Sequence, residues 1–252
     1  MHSAASPTHN PLAPGMDSPP PWFSKAHALL PHPQWRDPGE TQPWAMPIVL
    51  EIPKSDPPER TALLEAAAQA VVACCLDPRA AENDSAYRAG LSNWYGARIR
   101  KLARRARGQA WQRVQLAPGV TCEVRGARAR ALVPTPVAEV YPEVAKLQIS
   151  GTDLPHQEQQ PPIDEGLPTI WVDRDLDMSV GKVAAQVGHG SMLYAATLEA
   201  SQAWQWAQRG YPLAVRELPR AQWPDASLQA VEVRDAGFTE IAPGSVTVAV
   251  TD

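Results

Sequence analysis

Two polar, proline-bearing segments most constrain how this chain can fold, because neither can contribute to a packed core. Residues 1–45 hold ten of the 27 prolines and show almost no apolar periodicity, so we expect a disordered tail. Residues 151–167 are also polar and contain prolines, which is typical of a linker between domains. The chain is therefore expected to have two folded blocks, residues 46–150 and residues 168–252.

Four aromatic residues interrupt the polar composition of the tail. Large apolar side chains in a segment without a core of its own have two interpretations. They dock on the folded body, or they form a short motif that binds a partner. Both interpretations are open for Trp22, Phe23, Trp35 and Trp44.

Each block alternates strands with helices, which is typical of an α/β fold. In the first block, the apolar pattern predicts helices at 60–76 and 87–107, and strands at 47–52, 120–124, 129–133 and 144–149. In the second block, it predicts helices at 181–196 and 201–208, and strands at 169–172, 212–217, 228–234 and 245–250.

The sequence favours a cytoplasmic protein that does not enter a membrane. We find no apolar run that approaches the roughly 20 residues needed to cross a bilayer. The N-terminal residues lack the basic segment and apolar core of a secretory signal. Cys74 and Cys75 are adjacent and Cys122 is distant, so they provide neither a disulfide framework nor a metal site. We expect no metal and no cofactor.

The net charge of −4 hides an uneven distribution. The first block has 15 Lys/Arg against 10 Asp/Glu, whereas residues 151–252 have 6 against 14. The densest basic run, RIRKLARRAR at 98–107, lies at the end of the helix predicted over 87–107. A helix would place all its cations on one half of its surface, which is either simply solvated or binds a polyanion. These cations are Arg98, Arg100, Lys101, Arg104, Arg105 and Arg107.

One segment of the second block places three chemically useful side chains on one helix face. Residues 177–189 read DMSVGKVAAQVGH, and Lys182, Gln186 and His189 fall within an arc of about 60° on an ideal helix. His189 is the only histidine in either block. The helix begins at a turn containing Gly181, where free N–H groups beside Lys182 favour a phosphate or an oxyanion.

A second segment, RDAGFTEIAPGSVT at 234–247, supplies an acid. Asp235 ends a predicted strand and is followed by a tight turn, and two threonines, Thr239 and Thr247, add hydroxyl groups. An aspartate at this position is either part of a site or only an Asx turn at the end of a strand. The residues alone leave both interpretations open.

Taken together, the two segments resemble the signature of the second, archaeal/eukaryotic-type family of peptidyl-tRNA hydrolases. The resemblance covers the second block only, and we expect this block to be a three-layer α/β/α catalytic domain with a small mixed sheet. The family resemblance implies a site that hydrolyses the ester between a peptide and the 3′-terminal ribose of tRNA. The residues that match the catalytic positions are Lys182, His189, Asp235, Thr239 and Thr247.

The chemistry that this resemblance implies needs no serine or cysteine nucleophile, because water attacks the ester. Asp235 or His189 would act as the general base, and Lys182 with backbone N–H groups would hold the oxyanion. Gly181, Gln186 and the cations of 98–107 are expected to bind the substrate, peptidyl-tRNA. The alternatives are an inactive module that binds tRNA or the ribosome, and a hydrolase of another acyl-tRNA ester.

The first block has features of a degenerate copy of the second. Residues 46–49 (MPIV) align with 167–170 (LPTI), and 123–127 (EVRGA) align with 232–236 (EVRDA). Gly126 then stands at the aspartate position, and residues 46–150 contain no histidine, so the copy would be inactive. Such a copy could take the place of a partner and leave the chain a monomeric pseudo-dimer, with a homodimer as the alternative. Chance similarity between two small α/β units is the other explanation.

Overall fold

The computed structural model of the chain describes residues 18–31, 42–95, 100–149, 153–235 and 241–252. Within these ranges both blocks alternate strands and helices, so the α/β prediction is confirmed.

The first block builds one mixed sheet. Its helices, with the one that precedes it, are α1 (Pro21–His27), α2 (Arg60–Cys75), α3 (Ala86–Tyr95), α4 (Gly108–Val114) and α5 (Pro142–Ala145). Its strands are β1 (Trp44–Glu51), β2 (Arg100–Ala106), β3 (Gly119–Val124), β4 (Ala127–Leu132) and β5 (Thr135–Pro136). The sheet order is β2-β1-β4-β3, with β5 beside β1. Strands β1 and β2 are parallel, and the other neighbours are antiparallel.

The second block repeats this arrangement. Its strands are β6 (Thr169–Asp173), β7 (Ala214–Leu218), β8 (Gln229–Arg234) and β9 (Val246–Thr251), and its helices are α6 (Val180–Thr197) and α7 (Ala200–Gln208). The order is β7-β6-β9-β8, again with one parallel pair, β6 and β7, and antiparallel pairs elsewhere. In both blocks a long helix follows the first strand. This repetition is the arrangement that a duplicated unit predicts.

Helices α2 and α6 join the two blocks in one core. Small residues let the two helices approach closely: Ser191 Oγ donates to Ala68 O at 2.8 Å, and a Cβ at Gly188 would lie 2.7 Å from Val71 Cγ2. One cluster of buried apolar side chains therefore runs through both blocks. The central strands β1 and β6 are buried over nearly their whole length, as expected for strands covered on both faces.

Buried polar contacts from α2 also cross between the blocks. The Arg60 guanidinium, whose side chain is 1 % exposed, donates from Nε and Nη2 to the Glu217 carboxylate of β7 at 2.9 Å. Farther along α2, Glu65 accepts a hydrogen bond from Val215 N at 3.1 Å. Because both contacts lie in the interior, they fix the position of α2 against the sheet of the second block.

The segment between the blocks is fixed to the body over its described residues. Residues 153–167 form neither helix nor strand. Leu154 is buried, and its carbonyl accepts from Arg60 Nη1 at 3.0 Å. Gln157 Oε1 accepts from Thr61 N at 2.9 Å, at the first turn of α2.

Part of the predicted tail is a docked helix. Phe23 and Ala26 of α1 are fully buried, and the rings of Trp22 and Phe23 pack edge-on against Trp204 of α7, with centroids 5.8 and 5.0 Å away. The expectation of disorder is therefore wrong for residues 18–31, and docking is confirmed for these two aromatics. Trp44 begins β1, whereas Trp35 lies outside the described residues, as do residues 1–17 and 32–41.

The basic run is a strand and not the end of a helix. Helix α3 ends at Tyr95, and residues Arg100–Ala106 form β2, which pairs in parallel with β1. A single face for all six cations is therefore wrong, because side chains alternate between the two faces of a strand. Pairing with the buried β1 outweighs the helical propensity of Arg, Lys, Leu and Ala. Arg98 lies outside the described residues.

Two further expectations about the first block need correction. Instead of a strand at 144–149, Pro142–Ala145 form the short helix α5, whose first position suits proline, and Gln148 makes an isolated bridge with Arg105. Contrary to the expectation from the sequence, the segment Arg60–Ala81 is long and apolar enough, by length and composition, to cross a membrane. Most of this segment is buried inside the protein as part of its core.

Candidate active site

The first half of α6 carries the side chains singled out in the sequence. Ser179 caps the helix, and its Oγ accepts from Lys182 N at 3.3 Å. One face then presents Lys182, Gln186 and His189 in succession, because residues three and four apart lie on the same side of a helix. The positive end of the helix dipole lies at the start of this row.

The hairpin of β8 and β9 brings Asp235 against this face of α6. Asp235 directly follows β8. Its N donates to Ser245 O at 2.9 Å, and its O accepts from Gly244 N at 2.7 Å, which closes the neck of the connecting loop. The φ of +83° at Gly244 is one that glycine adopts without strain. The Asp235 side chain is 6 % exposed, so its carboxylate lies where most water is excluded.

The Asp235 carboxylate is the centre of a connected polar network. Its Oδ2 accepts from Lys182 Nζ and, at 2.9 Å, from Gln186 Nε2. Gln186 Oε1 in turn accepts from Thr247 Oγ1 at 2.9 Å. Because an ionised carboxylate only accepts, the NH₂ end of the amide faces Asp235, and the Thr247 hydroxyl donates to the other end. Such a chain of satisfied, buried groups holds the carboxylate and the ammonium in one fixed geometry.

This network contains three of the five residues predicted to be catalytic: Lys182, Asp235 and Thr247. Gln186, which we expected to bind substrate, donates to the Asp235 carboxylate and so helps to orient it. The signal for this role was present in the sequence, since Gln186 lies one turn from Lys182 on the same face. Thr239 lies outside the described residues.

His189 lies one turn beyond the network. Among the described residues its imidazole makes no hydrogen bond, and its charged neighbour is Lys101 of β2. Burial, and after it the charge of Lys101, holds the pKa of His189 well below its usual range. The imidazole is therefore neutral at pH 7 and has a ring nitrogen that can accept a proton.

Strand β2 of the first block packs against the first turn of α6. The Cβ of Ala103 lies 3.5 Å from the position that a Cβ on Gly181 would take. Because side chains alternate along a strand, Lys101 and Arg105 are on the same face of β2 as Ala103. Lys101 Nζ is buried 4.7 Å from the centroid of the Trp94 ring, and burial lowers the pKa of Lys101 to about 7.

The remaining cations of the basic run do not share this face. Arg104 Nη1 donates to Leu147 O at 3.2 Å, on the side of the sheet that faces away from α6, and alternation places Arg100 there too. Arg107 is exposed and immediately precedes α4. Arg105, which is on the same face as Ala103, donates from Nη2 to Gln148 Oε1.

A buried carboxylate that holds a lysine, beside a neutral imidazole and a helix N-terminus, suits hydrolysis of an ester by water. The lysine can stabilise an oxyanion, and both the carboxylate and the imidazole can take a proton from water. The site thus carries the groups that a hydrolase of the acid–base class uses.

Comparison with known proteins narrows this class to one family. The family model described as peptidyl-tRNA hydrolase PTH2 matches residues 168–252. A peptidyl-tRNA hydrolase of Sulfurisphaera tokodaii is 32 % identical over 93 residues, which cover 31 % of this chain and 77 % of that protein. No solved structure matches the chain. The chain belongs to the peptidyl-tRNA hydrolase PTH2 family, and its second block carries the likeness.

Proposed function

We propose that this protein hydrolyses the ester bond between a peptidyl, or N-blocked aminoacyl, group and the 3′ end of tRNA, and so recycles the tRNA. The observation that carries the proposal is the buried Asp235 carboxylate, fixed by Lys182 and Gln186 in a chain of this family. A module that only bound tRNA would have no need for a buried, fully connected set of this kind.

In the proposed reaction, a water molecule attacks the ester carbonyl carbon. His189 takes the proton of the attacking water, because its imidazole is neutral and has an acceptor nitrogen. Lys182, with the N–H groups at the start of α6, stabilises the negative charge that develops on the carbonyl oxygen. Asp235 holds the ammonium of Lys182 at that position. The ribose oxygen leaves and takes from His189 the proton that came from the attacking water, which releases the peptide acid and the tRNA.

The alternative base is Asp235 itself, which lies on the same face of α6. Two variants distinguish the assignments. If His189 is the base, His189→Ala lowers kcat by about 10²-fold or more. If Asp235 is the base, Asp235→Asn abolishes turnover while His189→Ala leaves most of it.

The positive charge that attracts tRNA comes from the first block in this proposal. The second block is acidic, whereas β2 places cations directly beside α6. Arg105 is partly exposed and Arg107 is exposed, and we propose that these two contact the phosphates of the tRNA backbone. Lys101 is excluded from such contacts because its ammonium is buried.

The substrate class is tested by offering the full chain N-acetyl-aminoacyl-tRNA and the same tRNA with a free α-amino group. We expect release of the acyl group from the blocked substrate and little release from the free one. Equal release from both would favour a hydrolase of another acyl-tRNA ester. Absence of release from both, with tRNA still bound, would favour the inactive binding module.

A further inference from the structure

We propose that Lys101, a residue of the first block, is a positioning residue of the candidate active site in the second block. Its buried ammonium faces His189 and keeps that imidazole unprotonated, ready to accept a proton from the attacking water. The proposal rests on the proposed function and extends the site across the boundary between the blocks.

The placement of Lys101 follows from how β2 lies along α6. Ala103 contacts the first turn of α6 at Gly181, and Lys101 lies two residues earlier on the same face of the strand. Helix α6 packs on β2, and Lys101 is the charged group of β2 that acts on the His189 imidazole. Lys101 therefore lies beside the helix that carries the candidate catalytic residues, although it belongs to the other block.

The surroundings of the Lys101 ammonium do not explain it as a structural residue. Among the described residues Nζ is buried and has no hydrogen-bond partner. It lies over the ring of Trp94, whose Nε1 donates to Arg100 O at 2.9 Å and so fixes the ring in place. A buried ammonium without an acceptor costs stability, and a methionine would fill the same space without this cost. The contacts of the described residues therefore do not explain a lysine at this position.

The charge of Lys101 acts on His189 because, as the pH falls, Lys101 takes up its proton before His189 does. The groups that face Lys101 are the Cys75 thiol of α2 and the Trp94 and Tyr95 rings of α3, and none of them carries a negative charge at pH 7. Against α6 the Asp235 carboxylate lies one turn before His189, where it is paired with the Lys182 ammonium, so the two charges oppose each other. Burial lowers the pKa of Lys101 to about 7, so the lysine is protonated before His189. The imidazole would then have to take its proton beside a positive charge, and it stays neutral well below pH 7.

The test compares Lys101→Met with wild type in two measurements on the full chain. The first is an NMR titration of the His189 ring, which needs no substrate. The second is the pH profile of kcat for N-acetyl-aminoacyl-tRNA. We expect Lys101→Met to raise the midpoint of His189 by about one pH unit, and to move the acidic limb of the profile by the same amount.

Two controls separate this effect from a structural one. Lys101→Arg retains the charge and is expected to restore the wild-type midpoint and profile. Lys146→Met removes an exposed lysine of the same block and is expected to change neither. In all variants KM for the tRNA is expected to change less than about twofold, because Lys101 does not touch the substrate.

An unchanged His189 midpoint in Lys101→Met would overturn the proposal. A raised midpoint with an unmoved acidic limb would also overturn it, since Lys101 would then set a protonation that catalysis does not use. Absence of hydrolysis by the wild-type protein would instead contradict the proposed function, and the NMR titration would still report whether Lys101 controls His189.

Discussion

Each block pairs a charged residue just after its third strand with an oppositely charged residue on its long helix, and the charges are reversed between the two blocks. In the second block, the carboxylate of Asp235 follows the third strand and the cation of Lys182 lies on the long helix. In the first block, the cation of Arg125 follows the third strand and the carboxylate of Glu65 lies on the long helix, paired at 2.7 Å. The same strand and helix order thus carries the acid on the helix in the first block and after the third strand in the second block.

The difference lies in what else each carboxylate contacts. Glu65 accepts from Val215 N and lies 4.0 Å from Arg216 Nη1, so it binds residues of the other block. Burial raises the pKa of Glu65, while Val215 N, Arg125 and Arg216 oppose that shift. The Asp235 carboxylate accepts from Lys182 and Gln186, which lie on α6 and belong to the same block as Asp235. The pair in the first block therefore holds the two blocks together, whereas the pair in the second is available for chemistry.

The largest expected effect on stability is at Glu65. Glu65→Ala removes the partner of the buried Arg216 and leaves Val215 N without its acceptor, so we expect the free energy of unfolding to fall by about 3 kcal/mol. Equilibrium unfolding in urea measures this loss. The matched control is Glu59→Ala, since the Glu59 side chain is 62 % exposed and 4.0 Å from Arg125, and a change below about 0.5 kcal/mol is expected.

Equal losses in the two glutamate variants would remove the structural role given to the pair in the first block. Below the unfolding transition, Glu65→Ala is expected to retain the hydrolytic rate of the wild type. A large loss of kcat in a folded Glu65→Ala protein would mean that the Glu65–Arg125 pair also takes part in the chemistry.

A smaller effect is expected in the pH dependence of stability. Lys101 has a pKa of about 7 when folded and about 10.4 when unfolded, so between these values the unfolded chain binds more protons. Stability should then rise with pH across this window, by up to about 1.4 kcal/mol per pH unit, and Lys101→Met should lack this rise. Urea unfolding at pH 7 and pH 9 checks it. Identical slopes in the two proteins would show that the ammonium is solvated.

The sequence predicted the arrangement of the candidate site's side chains better than the elements around them. The motif spacing placed Lys182, Gln186 and His189 on one face. This could be predicted because the relative positions of residues within one helix depend only on their spacing in the sequence. The position of Asp235 against that face followed from the family resemblance. The packing of β2 against α6 could not be predicted, because it depends on how two blocks that are distant in the sequence pack against each other.

The error at 98–107 has a specific physical cause. Its apolar residues fit both a helical and an alternating pattern, and only pairing with β1 selects the strand. The docked helix α1 is a similar case, because its position depends on the contact of Phe23 with Trp204, a residue of the second block that is distant in the sequence.

The smallest expected effect concerns attraction of the tRNA. Replacing Arg105 and Arg107 with Gln should reduce the slope of log affinity against log salt by about 0.7–0.9 for each phosphate that is no longer neutralised. The expected result is a higher KM for full-length tRNA and an almost unchanged rate with a minimal acyl-adenosine. Arg113→Gln, at an exposed position of α4, is the control. An unchanged slope in the double variant would mean that this part of β2 is merely solvated.

The most direct test of the account is the hydrolysis of N-acetyl-aminoacyl-tRNA by Asp235→Asn in the full chain. We expect turnover to fall at least about tenfold while the Kd for tRNA changes little, because the first block has glycine at the matching position and cannot replace the carboxylate. Asp164→Asn, at an exposed position between the blocks, should behave as wild type. Wild-type turnover by a folded Asp235→Asn protein would contradict the assignment of the active site to the second block.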